Sequence, residues 1–291
     1  MFSTLCAVSL VMTPTPCVTR VGRAYFGGIA RPVSMLASSC PGEVWIASAS
    51  RSCDGRTTGE CLKSGDAAVL LPDVVSKVDC QTLIQASLHA TEAARTRVRG
   101  ADEPAPTGMI RLVPETEMPA SIHAICDGIL HNVLSRLDAE VPSVAEAHLD
   151  ADDATGACPG LAELHAAGGL KFHWREPAII VYTVPEGGLG YAQKPHRDGE
   201  DLTMLVPLST PEDDFSGGGT GFWARDTEHS GPNHAASTVL RPDAGSAIVF
   251  GGFGAVHAGL PLESGIRVVF VASFGPAPKL TAAQIAFRNG S

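Results

Sequence analysis

An α+β fold, with a mainly β core and helices on its N-terminal flank, is what the sequence predicts from three observations. After Pro177 the chain breaks into short β-branched runs punctuated by glycine and proline, which means a sandwich or barrel. Before about residue 160 apolar residues instead recur at helical spacing. Across 291 residues, 44% hydrophobic content is ample for one large buried core.

Taken in order, residues 1–41 contain no acidic residue, the first being Glu43, while Arg20, Arg23 and Arg31 supply positive charge among small residues. That composition fits a transit peptide, so organelle targeting is the expectation, ahead of a secretory leader built on the apolar run 5–12 or a disordered extension. Residues 1–65 are expected outside the fold. Residues 66–291 then form one domain, with a helical flank over 66–160 and a β core over 170–278. Ala67-Ala68-Val69-Leu70-Leu71-Pro72 reads as a strand closed by proline, and Ser76-x-x-Asp79 as a capping box. Leu83, Ile84 and Leu88 carry the helix behind it to about Ala94, and Ile122, Ile125, Ile129, Val133 and Leu137 mark a second helix. A loop is expected over 150–160. Strands are expected over 178–184, 202–208, 217–223, 246–250 and 266–274. Pro207 places the second of these at a strand end or a sheet edge.

Charge and cysteine usage exclude several functions. A net charge of −10 and a pI near 5.4 leave no general surface for nucleic-acid phosphates. No apolar run approaches the roughly 20 residues that span a bilayer. All eight cysteines precede residue 194 and none forms Cys-x-x-Cys, which argues against zinc-ribbon and thioredoxin chemistry; Cys53 and Cys61 would close a small loop in an oxidising compartment.

Chemistry concentrates in Lys194-Pro195-His196-Arg197-Asp198-Gly199. In extended backbone, residues i and i+2 share a face, so His196 and Asp198 can grip one ion while Arg197 turns away. Downstream, His257 follows the apolar run at Phe250, and Arg267 lies one strand further on. Two histidines and a carboxylate are the ligand set of a non-haem iron site, with three positions left open. Other features read more plainly. Gly217-Gly218-Gly219-Thr220 lacks the lysine and helix of a phosphate loop and suits a bulge or tight turn. His123 and His131 sit on a helix without a carboxylate or thiol at matching spacing, and His229 and His234 fall in a polar loop. Ser209, Ser216 and Ser230 lack a nucleophile elbow. Phe222 and Trp223 either line a groove or fill the barrel.

The order Tyr182, His196-x-Asp198, Leu202-Thr203-Met204-Leu205-Val206-Pro207-Leu208, Phe215-Ser216-Gly217-Gly218-Gly219-Thr220-Gly221-Phe222, Gly245-Ser246-Ala247-Ile248-Val249-Phe250, His257 and Arg267 resembles the prolyl 4-hydroxylase-like group of iron(II)- and 2-oxoglutarate-dependent dioxygenases. The likeness runs over about 67–274 and is strongest after Pro177. It implies a double-stranded β-helix, or jelly roll, with iron(II) held by His196, Asp198 and His257 inside its open end. It also implies that 2-oxoglutarate chelates the metal through its keto and C1-carboxylate oxygens while Arg267 receives the distal carboxylate. A planar guanidinium suits that task. Tyr182 matches a tyrosine that donates its hydroxyl to 2-oxoglutarate, and Thr220 matches a pocket-lining position. The implied reaction consumes O2, hydroxylates a C–H bond and releases succinate and CO2, with ascorbate as a candidate supporting reductant. Asp198 stands where a halogenase would carry a small residue. The leading substrate is a peptidyl proline, followed by another side chain or a small metabolite. Arg267 stands where collagen-type prolyl hydroxylases usually carry lysine, which bears on substrate more than on chemistry. Two alternatives are a cupin-like metal enzyme that does not use 2-oxoglutarate and a catalytically silent jelly-roll binding module. Arg267 speaks against the first and retention of all four site residues against the second.

Overall fold

In the computed structural model, the described residues are 42–45, 55–98, 108–149, 158–185, 188, 190–224 and 235–278, all within one compact unit, Ser34–Ser291. The core is a large antiparallel sheet. From one edge it runs β1 (Gly42–Trp45), β2 (Ala67–Leu71), β10 (Ala247–Gly251), β6 (Leu202–Pro207), β12 (Leu262–Pro276), β5 (Ala178–Thr183) and β3 (Met109–Leu112). β4 (Leu170–Phe172) and β7 (Phe215–Gly217) both pair with β12. A smaller sheet has the order β11 (Val256–Gly259), β8 (Thr220–Trp223), β9 (Thr238–Leu240), and a two-residue bridge at His196 extends it alongside β11. From β5 onward the chain alternates between the two sheets: β5, the His196 bridge, β6, β8 and β9, β10, β11, then β12. That path is a jelly roll, as expected.

Both faces of the large sheet are buried, and the pleat sorts its side chains between two cores. Ile179, Val181, Met204, Val206, Val249, Val268 and Phe270 join the helical layer in the principal hydrophobic cluster. Ile180, Tyr182, Leu205, Ile248, Phe250, Val269 and Val271 turn the other way, into a second cluster with Phe222 and Leu240 of the smaller sheet. The helical layer is led by α2 (Lys77–Val98) and α4 (Ala120–Glu140). α4 buries Ile122, Cys126, Ile129, Leu130, Val133, Leu134 and Leu137, which takes in the expected stripe except Ile125, only partly buried at its edge. The Ser76 hydroxyl caps α2 by accepting from the Asp79 N–H at 3.1 Å, and the helix runs four residues past the expected end. α3 (Pro114–Glu117), α5 (Ser143–His148) and α6 (Leu161–Ala166) complete the layer. Among the described residues no helix is long and apolar enough to cross a membrane.

Pro207 ends β6, yet that strand lies inside the sheet between β10 and β12, not at its edge. Gly217, Gly218 and Gly219 all have positive φ (71°, 60° and 97°) and turn the chain from β7 into β8, the tight-turn duty expected of them. The leader and its targeting reading fall outside the described residues, as do His229, His234, Ser230, Cys53 and most of the expected loop over 150–160.

Ordered structure nevertheless starts before the boundary expected at residue 65. β1 pairs with β2, and α1 (Thr58–Lys63) is held by a capping box in which the Thr57 N–H donates to Glu60 at 2.6 Å. Cys61 and Leu62 of α1 are fully buried, and Leu62 belongs to the principal core. A six-residue helix leaves almost no periodic signal, which is why its sequence did not announce it. Leu62→Ala is therefore expected to destabilise the protein by about 2–5 kcal/mol in urea unfolding. A change below about 0.5 kcal/mol, typical of an exposed position, would return α1 to a leader outside the domain.

Candidate metal centre and adjoining pocket

The His196 bridge brings the metal-type side chains together. His196 N donates to His257 O at 3.0 Å and His257 N to His196 O at 2.9 Å, which sets the imidazoles side by side with centroids 4.6 Å apart. Asp198 is anchored by its own N–H on Gly252 O at 3.1 Å. Its Oδ1 lies 3.6 Å from His196 Nε2 and its Oδ2 3.5 Å from His257 Nε2. Suitable ligand atoms of all three residues fall within 4.8 Å of one another. These separations exceed hydrogen-bonding distance, yet close enough for one small cation to bridge all three.

The tautomers suit ligation. His196 Nδ1 lies 2.9 Å from Lys194 O and His257 Nδ1 3.3 Å from Ala255 O, so each Nδ1–H has a carbonyl acceptor and each Nε2 keeps a lone pair toward Asp198. His257 is 5% exposed and its ring lies 4.5 Å from that of Phe250. Burial pushes its pKa down to about 4 against the opposing pull of Asp198, so it is neutral near pH 7, as a ligand must be. Phe222 packs edge-on against Phe250 and fills the barrel; Trp223 is likewise buried, in a small cluster with Val256 and Ala258.

Beside the triad opens a small cavity. Its lining includes Tyr182, Thr220 and Arg267 together with His196, Asp198 and His257, so the structure unites all six residues singled out from sequence. Arg267 is 3% exposed, donates from Nη2 to Thr220 Oγ1 at 3.1 Å, and stacks its guanidinium 5.3 Å over the Tyr182 ring. Its buried Nε has no partner. Among the described residues no carboxylate pairs with it: Glu263 acts on Arg241 instead, and Arg241 in turn adds a second positive charge near Arg267. A buried, unneutralised guanidinium with a spare donor, in the cavity that holds the triad, fits an anionic ligand. Burial raises the pKa of Tyr182, so its phenol stays a donor, with a long 3.5 Å contact to Gln193 Oε1.

Sequence reasoning missed part of the lining. Gln193 accepts from Gly259 N at 3.1 Å and faces Tyr182; a Cβ at Gly259 would stand 3.1 Å from both and would press on the two side chains. Arg111 Nη1 donates to Glu176 Oε1 at 2.6 Å, an ion pair on the cavity wall. Its one sequence signal was a charged residue inside the otherwise apolar Met109-Ile110-Arg111-Leu112 run. Among the described residues no thiol lines the cavity, and burial raises Cys80 to about 11 and Cys126 to about 12, which keeps both protonated. His123 Nε2 lies 3.0 Å from Met118 O and His131 is exposed, so neither joins the site.

No protein-family model and no curated protein sequence matches the chain. Among solved structures it is similar to the viral collagen prolyl hydroxylase of Paramecium bursaria Chlorella virus-1 in its 2-oxoglutarate complex, at 18% identity over 77% of this chain and 98% of that one, with a TM-score of 0.41. It is also similar to the epimerase SnoN in complex with Fe3+, alpha-ketoglutarate and a nogalamycin compound, at 13% identity over 76% of this chain and 83% of that one, TM-score 0.46. A prolyl hydroxylase from Trichoplax adhaerens, bound to a peptide of hypoxia-inducible factor, matches at 11% identity over 76% of this chain and 88% of that one, TM-score 0.45.

Proposed function

We propose that this chain is an iron(II)- and 2-oxoglutarate-dependent dioxygenase that hydroxylates a C–H bond, with a peptidyl proline as the leading substrate. The observation that carries the reading is Arg267, a buried cation with an unpartnered donor that shares one cavity with a two-histidine, one-carboxylate cluster. His196, Asp198 and His257 would hold the metal, and iron(II) bound there with 2-oxoglutarate and O2 supplies the oxidising chemistry that yields succinate, CO2 and a hydroxylated product.

The chain's own residues prepare that chemistry. Arg267 neutralises the distal carboxylate of the oxo-acid through charge-assisted hydrogen bonds, and Thr220 orients the guanidinium. Ile180, Leu205 and Val269 line the cavity with apolar surface that keeps water from the acid's methylene groups. The Tyr182 phenol offers a further donor. With three protein ligands the metal would keep positions open for the oxo-acid and dioxygen.

Support for a prolyl substrate comes from exposed aromatic surface. Trp174 is 80% exposed two residues before Glu176, and Tyr191 is 41% exposed two residues before Gln193, both neighbours being cavity residues. Such ring faces suit the apolar ring of proline. The test is succinate formation by purified protein with iron(II), ascorbate and 2-oxoglutarate, with and without proline-rich peptides. Peptide-stimulated succinate is expected. Succinate stimulated by small metabolites instead would overturn the prolyl assignment, and metal binding with no use of 2-oxoglutarate would favour the cupin-like alternative.

A further inference from the structure

The Asp198 carboxylate is gripped from behind. Thr203, on β6 and 1% exposed, donates its hydroxyl to Asp198 Oδ2 at 2.5 Å, a short charge-assisted bond. Directly across the sheet, in register on β12, stands Ser273, 3% exposed, with its Oγ 3.2 Å from Thr203 Oγ1. A hydroxyl has one proton. Both Asp198 Oδ2 and Ser273 Oγ are acceptors within its reach, and the closer, charged carboxylate takes the Thr203 proton. Ser273 is itself pinned, its backbone N–H donating to Glu176 Oε2, while Glu176 Oε1 holds Arg111.

We propose that Thr203 is a positioning residue that restricts Asp198 to coordinating the metal through one oxygen. The inference rests on reading the triad as an iron site. With Oδ2 engaged by Thr203, Oδ1 is the oxygen with no hydrogen bond among the described residues, 3.6 Å from His196 Nε2. The count of coordination positions shows why this matters. Two imidazoles and one carboxylate oxygen would take three of the metal's positions and leave the others for a chelating oxo-acid and dioxygen. A carboxylate free to swing and bind through both oxygens would take the place that dioxygen needs. The same bond holds the ligand at its post before any metal arrives.

The test uses cobalt(II), whose absorption spectrum reports coordination, titrated into metal-free full-length protein. Thr203→Val keeps the shape and strand preference of the side chain and removes the hydroxyl. It is expected to weaken cobalt(II) binding by about 10–100-fold and to alter the spectrum, while Thr203→Ser restores both. Thr203→Val/Ser273→Ala, which leaves no orphaned hydroxyl, should reproduce the metal defect even if the single valine variant is poorly folded. Ser273→Ala alone should have a smaller effect, since Thr203 can still donate. Wild-type affinity and spectrum in the folded valine variants would overturn the positioning role alone. If the wild-type protein binds no cobalt(II), or binds it equally well after Asp198→Asn, the triad reading and this inference fall together.

Discussion

Asp198→Asn is expected to abolish succinate formation and to lose bound iron, although it changes one atom. The amide keeps the volume of the carboxylate and its oxygen can still accept from Thr203, while the backbone N–H goes on donating to Gly252 O. What it loses is the negative charge beside the two imidazoles. His196→Ala and His257→Ala are expected to lose turnover and iron in parallel, since each would remove one of the three proposed ligands. Their folds should differ in sensitivity. The His196 side chain is 38% exposed, so its removal costs little, whereas His257 is buried against Phe250 and its truncation leaves a cavity. His257→Gln offers a milder control. Metal content by elemental analysis, measured beside succinate production, decides each case; iron at wild-type level with full activity in any variant removes that residue from the ligand set.

Arg267 carries the second large expected effect. Its guanidinium is buried and has no carboxylate partner among the described residues, so a bound dicarboxylate would complete it. Removing that pairing should weaken 2-oxoglutarate binding by roughly 2–5 kcal/mol, well over tenfold in affinity, in Arg267→Ala. Arg267→Lys keeps the charge but not the paired donors and should fall between alanine and wild type. Iron affinity should hardly change. Arg267→Met separates cofactor binding from structure: it keeps most of the volume and removes an uncompensated buried charge, so without 2-oxoglutarate its unfolding free energy should equal or exceed that of wild type. An arginine serving only the fold predicts the opposite, a less stable protein with unchanged cofactor affinity. Calorimetric titration of the iron-loaded variants, set beside urea unfolding of the metal-free ones, distinguishes the two.

Local signals were legible wherever a short segment carries its own periodicity or chemistry. The α4 stripe, the Ser76 cap of α2, the turn at Gly217 to Gly219 and the β-branched runs of β5, β6, β10 and β12 could all be read from neighbouring residues, because the forces that make them act over a few positions. The His-x-Asp spacing likewise placed two side chains on one face before any fold was known.

Whatever depended on distant partners was decided by the tertiary structure. The strands of the large sheet are apolar on both faces, so alternation could not say which residues look into the cavity. Along β12, Arg267, Val269, Val271 and Ser273 line it while Val268, Phe270, Ala272 and Phe274 face the helices. One residue of register would exchange the two sets. Arg111 and Glu176 meet across 65 positions, and Thr203 and Ser273 across 70. α1 is too short to declare itself and is stabilised by burial of Cys61 and Leu62. The sequence by itself determined the metal-type side chains on offer, the helical flank and the β core. Only the folded chain decided which side chains share one cavity, because pairing register and two-sided burial are properties of strands brought together from far apart in the chain.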